Sequence, residues 1–222
     1  MDNRAVLVTG ASSEVGKAIV GILQANYSFP VFTTSRTDIR LPFDLTKEED
    51  ASNLYAQVGE VDLLVTCAGG SQPKAFDKQS LVDIRIAWET NFLTAYNVIR
   101  AFLPGMLSRG YGRVIAIGSY AALRGVSKMT AYSAAKHALA GLIKSLALEY
   151  SKSGVTFNMV CPGYLDTEAT YNRVGGLAPI LKEKVPLGRF SSVDEIAQTV
   201  LWIIGSSTVT GQCISVDGGL TA

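Results

Sequence analysis

Histidine is nearly absent from this chain: His137 is the only one in 222 residues. It sits beside Lys136 in a helical pattern, and adjacent helix positions point apart, so a packed or interface role is expected for it. Acid–base chemistry therefore falls to other side chains. Cysteine is also scarce. Cys67, Cys161 and Cys213 show no metal-like spacing, and each lies in or beside an apolar run. Buried free thiols in a reducing cytoplasm are expected, with no metal site. No stretch near twenty residues is continuously apolar and the chain enters directly on a strand-like run, so neither a membrane span nor a signal peptide is expected. Charge of one sign is missing as well. Lys and Arg number 20 against 19 Asp and Glu, with no basic tract of the kind that attracts nucleic acid.

Hydrophobic residues are abundant, at 48%, and the length suits one compact domain over 1–222 with a full core. Strand-like runs recur at 4–9, 31–35, 62–66, 113–118, 155–160 and 213–216. Helical patterns separate them at 14–25, 47–57, 80–108, 131–152 and 193–205. This alternation predicts an α/β fold: a single Rossmann-like, doubly wound parallel sheet with helices on both faces. The short connection between the second and third strands predicts a trimmed or irregular helix there.

Within this frame, Tyr132 and Lys136 stand four apart in Ala131-Tyr-Ser-Ala-Ala-Lys136, one turn along one helix face. A phenol titrates near ~10 and is a poor acid–base group at neutral pH without help. A lysine ammonium beside it favours the phenolate. Ser119, thirteen residues upstream of Tyr132 at the end of an apolar run, can offer a hydroxyl to the same substrate oxygen. Such a set suits moving a proton on and off a carbonyl or an alcohol. Taken alone, a Tyr-x-x-x-Lys pair carries little weight.

The N-terminal run Ala5-Val-Leu-Val-Thr9 leads into Gly10-Ala-Ser-Ser-Glu-Val-Gly16 and then a helical pattern. Strand, glycine turn and helix in that order form the opening unit of a dinucleotide-binding fold, where free N–H groups and the helix dipole suit a pyrophosphate. Gly10 supplies the turn, Ser12 and Ser13 supply hydroxyls, and Gly16 permits close packing of helix on strand.

Together these motifs resemble those of the short-chain dehydrogenase/reductases over essentially all 222 residues. The family's Thr-Gly-x-x-x-Gly-x-Gly motif is matched from Thr9 to Gly16, with Glu14 in place of the middle glycine. Its Asn-Asn-Ala-Gly motif stands as Thr66-Cys67-Ala68-Gly69, and its post-strand Pro-Gly as Pro162-Gly163. The resemblance implies a catalytic tetrad of Asn91, Ser119, Tyr132 and Lys136, with Lys136 also holding the nicotinamide ribose. It implies cofactor contacts from Gly10, Ser12, Ser13, Glu14 and Val15, and from Ser35, Arg36, Asp44 and Leu45. Further contacts are implied from Cys67, Ala68 and Gly69, from Tyr132 and Lys136, and from Pro162, Gly163, Leu165 and Thr167.

For the cofactor, an acid after the second strand would bind the ribose diol of NAD, whereas an Arg accommodates the extra phosphate of NADP. Ser35-Arg36 follows Val31-Phe-Thr-Thr34 with no acid before it, although Asp38 lies two residues on. NADP(H) is therefore expected in preference to NAD(H). The segment from Tyr164 to Phe190 is expected to form a mobile lid. Its Lys184-Val-Pro-Leu-Gly-Arg-Phe190 run is similar to that of bacterial 3-oxoacyl-[acyl-carrier-protein] reductases. This implies reduction of a 3-oxoacyl thioester in fatty acid biosynthesis, with acyl carrier protein as a partner met by Arg109, Arg113 and Arg173. A small ketone, sugar or steroid-like alcohol is the alternative substrate, and a non-catalytic nucleotide-binding scaffold the alternative role. The apolar excess of segments 80–108 and 131–152 is consistent with subunit contacts, and a homotetramer is expected, or failing that a dimer.

Overall fold

The computed structural model describes residues 5–38 and 40–222, so Arg4, at the head of the first expected strand, lies outside the described residues. Six parallel strands form one sheet in the order β2-β1-β3-β4-β5-β6. They are β1 (Val6–Thr9), β2 (Val31–Thr34), β3 (Leu63–Thr66), β4 (Gly112–Ile117), β5 (Val155–Pro162) and β6 (Cys213–Val216). The strands are rich in β-branched residues, and the inner four, β1, β3, β4 and β5, are buried on both faces, as helix-covered parallel strands must be.

Alternation along each strand divides the core in two. Val6, Val8, Leu63, Val65, Ile115 and Ile117 face one layer, packed on Ile19 and Leu23 of α1 (Glu14–Asn26) and on Ile196, Val200 and Ile203 of α8 (Val193–Gly205). Leu7, Leu64, Val114 and Ala116 face the other. There they meet α2 (Glu48–Val58) through Leu54, α4 (Thr94–Arg109) through Val98 and Phe102, and α5 (Thr130–Glu149) through Leu139 and Ile143. One-residue offsets thus commit each strand to two different helix layers. After β1 the chain crosses to β2 on one side and then returns to β3 on the other. The carboxyl ends of β1 and β3 therefore open a crevice at the point where strand order reverses.

Three expectations need correction. The 80–108 segment is not one helix. It is α3 (Leu81–Trp88), a wide π turn over residues 89–93, and then α4. Thr94 N–H reaches the Glu89 carbonyl five residues back, and side chains take up the displaced carbonyls. Asn91 Nδ2 donates to Ala87 O at 2.9 Å and Thr94 Oγ1 to Thr90 O at 2.9 Å. Next, the helix between β2 and β3 is regular, and the irregular part is the stretch before it. Side chains hold that backbone in place of a ladder. Thr34 Oγ1 donates to Leu41 O at 2.7 Å, and Asn97 Nδ2 donates to Leu45 O at 3.0 Å. Finally, the 164–190 segment contains α6 (Glu168–Val174) and α7 (Ala178–Glu183), packed on a small core of Ala178, Val185 and Phe190. Among the described residues, no helix is long and apolar enough to cross a membrane.

Candidate active site

Four elements deliver the site to the carboxyl end of the sheet. Ser119 follows β4, Tyr132 and Lys136 lie on the first turns of α5, Asn91 sits in the π turn, and Gly69 follows β3. Asn91 is 1% exposed and grips the loop after β3 from both sides: its Oδ1 accepts from Gly70 N at 3.1 Å and its Nδ2 donates to Gly70 O at 2.9 Å. A Cβ placed on Gly69 would stand 2.9 Å from Asn91 Oδ1 and 3.1 Å from Lys136 Nζ. The glycine is thus required by close approach, and the amide and the ammonium share one small space.

Lys136 is 2% exposed and donates through Nζ to Ile117 O at 3.1 Å. Burial lowers its pKa to about 8, against the opposing pull of Cys161 and Cys67. Burial also raises the Cys67 thiol to about 12. The Tyr132 phenol is raised by burial, which a hydrogen bond with Ser119 and the charge of Arg173 oppose. Lys136 Nζ lies 5.8 Å from the Tyr132 ring centroid. The two therefore share a face as their spacing predicts, but the cations and donors acting on the phenol differ from expectation. Ser119 and Arg173 pull it down, while the ammonium is bound to a carbonyl. Ser119 Oγ accepts from Ala121 N at 3.1 Å, which leaves the hydroxyl proton to be donated, here toward the Tyr132 phenol. His137 is exposed, with Nδ1 2.9 Å from Ser133 O, and is turned away from this group.

The nucleotide end has the shape its motif requires. Gly10 adopts φ 66°, and a Cβ there would fall 2.6 Å from Ala68 N. Ser13 caps α1 by accepting from Gly16 N at 3.0 Å and donates its own proton to Gly10 O at 2.9 Å. Ser12 and Glu14 are exposed and Val15 is half-buried, all beside the α1 N-terminus. At the end of β2, Ser35 is half-buried and Arg36 exposed. Asp38 turns back on its own loop, accepting from Thr33 Oγ1 at 3.1 Å, Arg40 N at 2.8 Å and Leu41 N at 3.3 Å. Burial opposes its ionisation, but these N–H and hydroxyl donors prevail and its pKa is lowered. Asp44 accepts from Thr46 Oγ1 at 2.8 Å, beside the buried Leu45. Across the crevice, Cys67 and Ala68 are half-buried and continue β3 into Gly69. Pro162 ends β5, Gly163 N donates to Val216 O at 3.1 Å, Leu165 bridges to Ser191, and Thr167 caps α6. These residues line the carboxyl-end rim and could hold a dinucleotide along it.

Two of the three arginines expected to meet a carrier protein are committed elsewhere. Arg109 is tied to Glu60 at 2.6 Å and Asp62 at 3.1 Å. Arg113 is 7% exposed and donates to Ile204 O, Gly112 O and Gly154 O. Both lie at the amino end of the sheet, opposite the site.

The residues the sequence did not mark are the site's aromatic wall. Tyr120 and Tyr164 have ring centroids 5.5 Å apart, Tyr164 and Phe190 5.3 Å, and Tyr171 and Phe190 5.9 Å. They are scattered over seventy positions with no shared motif, so only the folded lid brings them together. A hollow of about 430 Å³ between the lid base and the end of β6 is lined by Pro186, Ser191 and Asp217 and contains none of the proton-transfer set.

A family model described as enoyl-(acyl carrier protein) reductase matches residues 24–221. The chain is 36% identical over 188 residues to 2,3-dihydroxy-2,3-dihydro-p-cumate dehydrogenase of Pseudomonas putida, covering 80% of this chain and 72% of the relative. It is 31% identical over 243 residues to the 3-oxoacyl-[acyl-carrier-protein] reductase of Salmonella typhimurium, covering 99% and 98%. Among solved structures, a short-chain dehydrogenase/reductase-family oxidoreductase of Burkholderia thailandensis superposes with a TM-score of 0.90 at 30% identity, covering 100% of this chain and 94% of the other. Aldohexose dehydrogenase of Thermoplasma acidophilum superposes with a TM-score of 0.90 at 26% identity, covering 99% and 94%.

Proposed function

Because the chain belongs to the short-chain dehydrogenase/reductase family of oxidoreductases, we propose that it is an NADP(H)-dependent enzyme reducing the ketone of a 3-oxoacyl thioester to a secondary alcohol. One observation carries this reading: Asn91 of the π turn, Ser119 after β4, and Tyr132 and Lys136 of α5 gather beside the crevice between β1 and β3.

The residues fit a dinucleotide on structural grounds. The Gly10 turn leaves no room for a Cβ against Ala68, and the capped N-terminus of α1 faces the same rim. Gly10, Ser12, Ser13 and Val15 would hold the pyrophosphate, with the exposed Glu14 directed to solvent. Ser35 and Arg36 would take the 2′-phosphate, since the Asp38 carboxylate is spent on Thr33 and the 40–41 backbone. Asp44 and Leu45 would border the adenine. Cys67, Ala68, Gly69, Lys136, Pro162, Gly163, Leu165 and Thr167 would line the nicotinamide half. When bound, NADPH supplies the hydride.

The chain's own residues handle the proton and the developing charge. A phenol held above its ordinary pKa is protonated at neutral pH, which suits Tyr132 as the proton donor of the reducing direction. The Ser119 hydroxyl, oriented by Ala121 N–H, donates to the substrate oxygen as negative charge builds on it. Asn91 fixes the Gly69–Gly70 backbone, so the space beside Lys136 keeps its shape. Lys136 carries its charge near neutral pH and would hold the nicotinamide ribose.

The same reading includes a cytoplasmic setting, suited to three free thiols, and a carrier-tethered substrate. It also includes a homotetramer, with a dimer as the smaller assembly. Exposed Leu81, Val82, Ile86 and Trp88 on α3 and Leu148 on α5 support subunit contact through these helices. Among the smaller-substrate alternatives, a sugar or dihydrodiol is favoured by the relatives that act on such compounds.

The test is NADPH consumption with an acetoacetyl thioester, run beside NADH and a panel of simple ketones and sugars. Steady oxidation of NADPH, with the thioester ahead and NADH at least ~10-fold poorer, is expected. Nicotinamide fluorescence that reports binding while no carbonyl is reduced would leave only a scaffold.

A further inference from the structure

Arg173 lies in the last turn of α6, on the lid, and its guanidinium reaches back across the cleft. Nη1 donates to Ser71 Oγ at 3.2 Å. Ser71 directly follows Gly70, whose N–H and carbonyl are both held by Asn91. The cation therefore spans from the lid to the loop that borders the proton-transfer set. Its charge acts on the phenols of both Tyr132 and Tyr120, which places it over the mouth of the site.

What sets this exposed arginine apart from those built into the fold is the poverty of its partner. Arg109 and Arg189 are each paired with carboxylates, and Arg113 is surrounded by carbonyls. Arg173 makes no ion pair among the described residues, and its partner is a single neutral hydroxyl. Asp166, in the same segment, accepts instead from the Tyr171 hydroxyl at 2.6 Å. A guanidinium with five donors and one neutral acceptor has donor capacity to offer a ligand. The neighbouring wall is aromatic, from Tyr120, Tyr164 and Phe190, and Lys182 Nζ, 5.3 Å from the Phe190 centroid and 5.4 Å from that of Tyr171, is engaged with these rings.

We propose that Arg173 is a specificity-determining residue that binds the second oxygen function of the substrate, the thioester carbonyl or the carboxylate of the free acid, which lies close to the reacting ketone. This rests on the reading of the site as a carbonyl reductase and adds the substrate class: 3-oxoacyl compounds in preference to isolated ketones. The Ser71 bond is the resting position of the guanidinium, exchanged for the substrate oxygen when the ligand enters. A charged donor to an acceptor is worth more than a neutral pair, and a site built for such an acceptor discriminates against compounds that lack it.

The experiment compares wild type with Arg173→Gln and Arg173→Lys on two compounds, an acetoacetyl N-acetylcysteamine thioester and 2-pentanone. Expected for Arg173→Gln is a fall of about 30-fold in kcat/KM for the thioester, with the simple ketone changed by less than about 3-fold. Arg173→Lys, which keeps a positive charge near the Tyr132 phenol, recovers part of the loss and keeps the midpoint of the pH profile on 2-pentanone, whereas Arg173→Gln moves that midpoint upward with little change in rate at neutral pH, where the phenol stays protonated. Equal losses on both compounds at neutral pH would show that Arg173 acts only through the Tyr132 phenol and would overturn the proposal. A turnover-free arm separates this from failure of the reductase reading. Acetoacetate, titrated calorimetrically into the protein, binds wild type and loses at least ~10-fold in affinity in Arg173→Gln. Unchanged acetoacetate affinity in that variant overturns the inference whether or not any ketone is reduced, and a lost affinity supports it in either case.

Discussion

The two ends of the parallel sheet treat their cations in opposite ways. At the amino end, Arg113 is closed in by three carbonyl acceptors and the Tyr111 ring at 4.5 Å, and Arg109 by two carboxylates and Val61 O. Arg109 spends Nε, Nη1 and Nη2 on the protein itself, and Arg113 its Nε and Nη1. At the carboxyl end, Lys136 has one carbonyl and two thiols for company, and Arg173 has one hydroxyl. The same residue types therefore serve stability at one end and remain under-satisfied at the other. A buried cation with few acceptors, as Lys136 is, is costly in a fold unless a ligand completes it, while the exposed Arg173 keeps its spare donors in solvent that a ligand can displace.

The largest expected break in this contrast comes from the carboxyl end. Tyr132→Phe removes only a hydroxyl, so folding and NADPH binding, followed by nicotinamide fluorescence, stay within about 2-fold of wild type. Turnover, however, falls by about 10³-fold, since the proton donor and the partner of Ser119 vanish together. A variant retaining most of its rate would remove Tyr132 from the acid's role. Arg113→Met tests the other end and should invert the pattern. It leaves Ile204 O, Gly112 O and Gly154 O short of a donor in a 7%-exposed site. The expected loss is about 3 kcal/mol in urea unfolding, with kcat/KM of the folded protein unchanged. A variant as stable as wild type would show that these bonds are dispensable.

The sequence made legible what depends on period and spacing. The strand runs gave the parallel sheet, and the four-residue interval put Tyr132 and Lys136 on one face of α5. Glycine positions at 10 and 16 foretold a tight turn and a close approach, and the folded chain makes both. Less legible was anything decided by where a long side chain ends. Arg109, Arg113 and Arg173 look alike in sequence as surface cations, yet the fold sends two to the amino end and one over the site. The π turn was hidden for a related reason. A 3.6-residue pattern runs through 80–108 without a break, and only the pairing of Asn91 with Gly70, twenty-one residues away, makes a wide turn worth its geometry. The identity of the cations and donors acting on Tyr132 was likewise beyond reach, because Arg173 arrives from a lid whose path no local signal sets.

The smallest expected effect is also the one in which the two ends diverge in sign. Lys136 is 2% exposed and titrates at about 8, below the ordinary lysine value of 10.5, so folding at neutral pH must carry a buried ammonium. The unfolded chain holds that proton more tightly than the folded one between these two values. Stability attributable to this group is therefore lowest below pH 8 and recovers as pH rises toward 10.5. Lys136→Met removes the burial cost but orphans Ile117 O, which gives back about 1 kcal/mol. The net expectation is a gain of about 2 kcal/mol at pH 7 in urea unfolding, together with loss of turnover. The gain should shrink through the interval between the two values and vanish above it. A Met variant less stable than wild type at pH 7, or one whose advantage does not change with pH, would mean that Lys136 is as well satisfied as Arg113. The contrast between the two ends of the sheet would then fail at its most buried residue.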